Sequence, residues 1–138
     1  MDERAPDAQC RTRAHLDITS AEVPPDEITR RVGVEPDRSW AIGDELRKYR
    51  VATFHNWTLD SRADPDAALD DHIADLVRRA EPVAERIAAI DNVNIRLSIC
   101  REYRGPGTRD TNLYLGEKTI EILGRLGASF DVDDYDYG

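Results

Sequence analysis

The chain is poor in the residues that most often carry chemistry or covalent staples. Its 138 residues include two cysteines, three histidines and one methionine. Cys10 and Cys100 lack the close spacing of a metal site or a redox pair, so reduced thiols are expected. Positive charge is scarce too: 19 Lys and Arg against 28 Asp and Glu give a formal net charge of -9. Phosphate binding rests on clustered cations that release counterions, which argues against nucleic acid and anionic membrane as partners and in favour of a basic one. No apolar run approaches the length of a membrane span, and the opening Met-Asp-Glu-Arg-Ala-Pro-Asp carries acid where a signal peptide carries base. A cytoplasmic protein is the expectation. No nucleophile elbow, phosphate loop or dinucleotide fingerprint occurs, and the Gly105-Pro106-Gly107 turn lacks the lysine and helix start that cradle phosphate. No cofactor and no metal is expected.

What is present is the composition of one globular domain, 40% apolar and 34% charged. A chain of this length buries roughly two thirds of its unfolded surface and needs no staple. Residues 1–10 read as a disordered tail ahead of a single domain over 11–138. Thr12, Ala14, Leu16 and Ile18 alternate with Arg13, His15, Asp17 and Thr19, which predicts a half-buried strand. Pro24-Pro25 followed by Asp26-Glu27 opens a short helix over about 25–32, with Ile28 and Val32 turned to the core and Gly33 as its C-terminal cap. A polar connector, 36–49, leads into a strand-like run from Val51 to Leu59. The spacing of Leu69, Ile73, Leu76, Ala80, Val83, Ile87 and Ile90 predicts a long helix starting at Asp64-Pro65 and kinked at Pro82. Val93, Ile95, Leu97 and Ile99 mark a further strand. Then come a glycine-rich loop, a helix with Ile120, Leu123 and Leu126 as its buried stripe, and a last strand around Phe130 and Val132.

That order predicts an α+β fold, a ferredoxin-like antiparallel or mixed sheet of about four to five strands with helices mainly on one face. Ile28, Val32, Gly33 and Val34 match Ile122, Leu126, Gly127 and Ala128 at equal spacing, which hints at an internal duplication. The run Gly33-Val-Glu-Pro-Asp-Arg-Ser-Trp40, together with Gly43-Asp44, Trp57-Thr-Leu59, the helix bearing His72, and Leu126-Gly-Ala-Ser-Phe-Asp-Val-Asp133, resembles the bacterial family catalogued as domain of unknown function 4279. The resemblance runs from about residue 12 to the end and implies no activity, substrate or catalytic residue.

Candidate residues therefore come from the chain alone. Arg38, Ser39, Trp40, Asp44 and Trp57 form the strongest patch: Trp40 is expected to dock on Trp57, either as a loop anchor with a stacked arginine or as the floor of a ligand groove. Asp133 and Asp134 are candidates for pairing with a basic protein partner. Among the histidines, His15 reads as a surface residue, His55 as buried beside Trp57 with a satisfied hydrogen bond, and His72 as partly exposed on its helix. The leading expectation is a non-catalytic interaction module, immunity-like in binding a basic partner. A regulatory domain binding a small ligand is the alternative, and a hydrolase or transferase using His55 or His72 has no motif behind it.

Overall fold

Alternation of apolar and polar residues builds the centre of the molecule. A computed structural model describes residues 9–107 and 112–138. Strand β1 (Gln9–Ser20) buries Thr12, Ala14, Leu16 and Ile18 on one face, as their spacing predicts. It starts inside the segment read as tail; residues 1–8 lie outside the described residues. Helix α1 (Pro25–Val32) starts at a proline, turns Ile28 and Val32 inward, and ends at Gly33 with a φ of 80°. Glycine takes that left-handed cap at least cost, and a Cβ there would also lie 3.1 Å from the Arg86 guanidinium.

Strand β2 (Arg38–Trp40) follows, then a small hairpin of β3 (Glu45–Arg47) and β4 (Arg50–Val51), then β5 (His55–Asp60). The run 51–59 is therefore two strands rather than one, interrupted at residues 52–54. Helix α2 (Leu69–Ala80) begins several residues after Asp64-Pro65, which instead form a turn closed by Asp64. At Glu81–Val83 the chain passes through a 3-10 turn containing Pro82 and resumes as α3 (Ala84–Ala88). Proline cannot donate its backbone hydrogen bond, and here the helix breaks in two rather than kinking. Strand β6 (Asn94–Arg104), helix α4 (Glu117–Leu126) and strand β7 (Ser129–Asp136) complete the chain. The buried stripe of α4 is Thr119, Ile122 and Leu126, while Ile120 is 57% exposed, so the expected phase was off by part of a turn.

The five-stranded mixed sheet has the order β2-β5-β1-β6-β7. β1 is antiparallel to β5 and β6, β2 is antiparallel to β5, and β6 is parallel to β7. Two crossovers interlock: α1 carries the chain from β1 past β5 to β2, and α2 with α3 carries it from β5 past β1 to β6. The third, through α4, joins direct neighbours. The likeness between the ends of α1 and α4 extends to their left-handed glycine caps but not to these connections. Ile18, Trp57, Leu59, Ile87 and Ile99 pack together beneath the helices on one side of the sheet. The opposite side carries no helix among the described residues. No described helix is long and apolar enough to cross a membrane.

Candidate functional site

Every second residue of the central strands faces the uncovered side. Register sets Asp17 opposite both Thr58 on β5 and Arg96 on β6, and Thr19 opposite Asn56 and Asn94. Apart from Arg96 these positions hold short hydrogen-bonding side chains, and three of them are shielded from solvent: Asp17 at 8% exposure, Asn56 at 3% and Thr58 at 1%. Burial requires partners for such groups, and they form a chain. Asn56 Nδ2 donates to Thr58 Oγ1 at 2.7 Å, Thr58 Oγ1 donates to Asp17 Oδ1 at 2.7 Å, and Ser98 Oγ donates to Asp17 Oδ2 at 3.3 Å. The carboxylate is thus fixed in the floor of a groove of about 670 Å³.

One wall of this groove is aromatic. Trp40 and Phe54 meet with ring centroids 6.1 Å apart and planes tilted by 59°. The indole Nε1–H of Trp40 is buried and finds no acceptor among the described residues. The other end is closed by a fork: Arg38 Nε and Nη2 each donate to Asp60 at 2.8 Å. His15 Nδ1 lies 3.8 Å from the same carboxylate. Burial holds the His15 imidazole below its usual range, against the pull of Asp17.

Beyond Arg38 and His15 lies a second cavity of about 420 Å³, reaching Ser61 and His72. His72 is 2% exposed, not partly exposed as its helix phase suggested, because the turn at 61–65 folds over it. Ser61 Oγ accepts the Ala63 N–H at 3.2 Å and lies 2.8 Å from His72 Nδ1. His72 Nε2 is buried and has no hydrogen-bond partner among the described residues. Burial lowers the His72 pKa. A serine beside a neutral imidazole has half the grammar of a nucleophilic site, but no carboxylate orients the far nitrogen. The pair ties the β5–α2 turn to α2.

A charged network on the neighbouring rim fixes the Arg38–Asp60 fork. Asp37 accepts from the Asp60 N–H at 2.8 Å, Arg79 Nη2 at 2.7 Å and Arg62 Nη2 at 3.3 Å. Desolvation works to raise the Asp37 pKa, and these donors outweigh it, so it falls.

The residues expected as one patch are divided. Arg38 and Trp40 face the groove. Ser39 and Trp57 are paired on the helix-covered side, where Trp57 Nε1 donates to Thr29 Oγ1 at 3.0 Å. The expected docking of Trp40 on Trp57 does not occur. Asp44 accepts the Ala41 N–H at 2.8 Å and closes its own turn. Asp134 is held by Arg101, whose Nε and Nη2 donate to its two oxygens at 2.8 and 3.0 Å. Asp133 stands on the uncovered side, opposite Cys100. His55 accepts from the Ile42 N–H at 3.1 Å, as a satisfied histidine should.

Comparison with known families fits this architecture to a group rather than to a reaction. The family described as Domain of unknown function (DUF4279) matches residues 8–137. The chain belongs to that family. No curated protein and no solved structure gives a significant match. For this DUF4279 member the groove itself is the guide to chemistry. Asp17, Thr58 and Asn56 escaped the sequence reading although a signal was there: around them Thr19, Asn94 and Ser98 are short hydrogen-bonding side chains, where the same face farther along β1 and β6 carries Arg11, Arg13 and Glu102.

Proposed function

We propose that this chain is a non-catalytic binding module whose groove on the uncovered sheet face takes a small polar ligand with one flat side. The observation that supports it best is the pairing of an aromatic wall, Trp40 and Phe54, with a pre-set polar floor, Asp17 on Thr58 and Ser98. Flat ligands stack on such walls, and a floor already ordered by its own hydrogen bonds loses little freedom on binding. Asp17, held by Thr58 and Ser98, accepts from a ligand N–H or O–H. The two interlocked crossovers support a ferredoxin-like reading of the fold, with α4 and β7 added at its margin. That reading takes up the small-ligand alternative. The basic-partner reading keeps Asp133 and loses Asp134 to Arg101.

The test is a screen of small polar metabolites by thermal shift and by tryptophan fluorescence. A true ligand raises the melting temperature and changes the emission, and both effects vanish in Trp40→Ala and in Asp17→Ala while each variant stays folded. Ligands whose effect survives both substitutions would place binding elsewhere and defeat the proposal.

A further inference from the structure

The β3–β4 hairpin is built against its own stability. Arg47 stands directly opposite Arg50, and like charges so placed repel. Among the described residues neither has a carboxylate partner. Tyr49, in the turn between them, has a φ of 65°. Glycine or asparagine takes that conformation readily, whereas a bulky side chain is strained in it. Its ring is 92% exposed, with Val51 at 55% close by. In a chain of net charge -9, this hairpin gathers Arg47, Lys48 and Arg50 around a bare tyrosine. Tyrosine and arginine are the residues that interfaces favour.

The other margin of the sheet presents the complement. β7 is an edge strand. Asp131 and Asp133 are exposed on its uncovered side, and Tyr135 and Tyr137 stack with centroids 6.4 Å apart. The hairpin adjoins β2, since Arg47 and Arg50 share a hollow with Arg38 and Trp40. In the order β2-β5-β1-β6-β7 the two margins are four strand spacings apart, about 19 Å. They do not meet within one chain. We infer that the hairpin of one copy docks on the β7 margin of a second copy, with Arg47 and Arg50 against Asp131 and Asp133 and Tyr49 against the stacked tyrosines. A two-fold axis makes this contact twice and closes the pair as a dimer.

Sedimentation velocity from micromolar to millimolar protein tests it. At low salt the chain dimerises, and added salt weakens the dimer because exposed charges are screened. Arg47→Glu with Arg50→Glu, and separately Asp131→Lys with Asp133→Lys, each weaken association at least about tenfold. All four positions are exposed, so circular dichroism shows both variants folded. Mixing the two variants restores the complementary charges and the dimer. A wild-type chain that stays monomeric throughout, a dimer that neither variant weakens, or a mixture that remains monomeric would each overturn the inference. A monomer retained on immobilised polyaspartate through Arg47 would overturn it in favour of a different acidic partner.

Discussion

Trp40 and Trp57 lie on opposite faces of one sheet: Trp40 pairs with Asn56 on the open side, and Trp57 pairs with Ser39 under the helices. One tryptophan is therefore available to a ligand and the other to the core. Trp57 is 0% exposed, and Trp57→Ala is expected to cost about 3–5 kcal/mol through lost burial and a cavity. Trp40→Ala is expected to cost less stability while abolishing ligand-induced fluorescence change. Chemical denaturation of the two variants checks this, and equal losses would contradict the division of roles.

Thr58→Val probes the groove floor with little change of volume. It removes the hydroxyl that donates to Asp17 and accepts from Asn56, leaving both buried groups short of a partner. A loss of about 1–3 kcal/mol is expected. Ser98→Ala, at the longer bond of 3.3 Å, should cost less. Urea midpoints rank the two.

Stability should fall on mild acidification. The pKa values of His15 and His72 are both lowered in the fold, first by burial. Below the unfolded value of about 6.5 the unfolded chain binds protons that the native state refuses, so the contribution is present above that pH and lost as pH falls through the window beneath it. His72→Gln is expected to flatten part of this slope. Denaturant titrations at pH 7.5 and 5.5 measure it, and an unchanged slope would remove His72 from the account.

Asp134→Ala should loosen the last strand. Arg101, at 5% exposure, donates to Asp134 and also to the Asn112 carbonyl at 3.0 Å, so it joins β6, β7 and the segment before α4. Losing the charged acceptor is expected to cost about 2 kcal/mol and to speed amide exchange in β7.

Tyr49→Asn should raise stability by up to about 1 kcal/mol, because asparagine tolerates the left-handed conformation. The same change is expected to weaken self-association. A gain of stability with a loss of association would distinguish a docking element from an ordinary turn.

Local chemistry was written plainly in the chain. Proline starts and glycine caps placed α1, the end of α4 was set by Gly127, and period-two alternation gave the buried faces of β1 and β6, because each depends only on residues a few positions apart. The groove was half legible: Arg38 and Trp40 were singled out, and Asp17, Asn56 and Thr58 were not, since nothing local says that three polar strand positions will share one floor.

The sequence by itself determined the α+β class, the family, the inward apolar stripes of α1, β1 and β6, and an interruption at Pro82, expected as a kink and found as a break. Only the tertiary structure decided which face each tryptophan takes, that His72 is buried, and that Asp134 belongs to Arg101. The reason is physical. Alternation fixes which residues of one strand point together, but the register with the neighbouring strand fixes which residues of two strands meet. The β2–β5 register that puts Trp40 beside Asn56, and the turn at 61–65 that covers His72, are set by long-range packing that no short window of the chain contains.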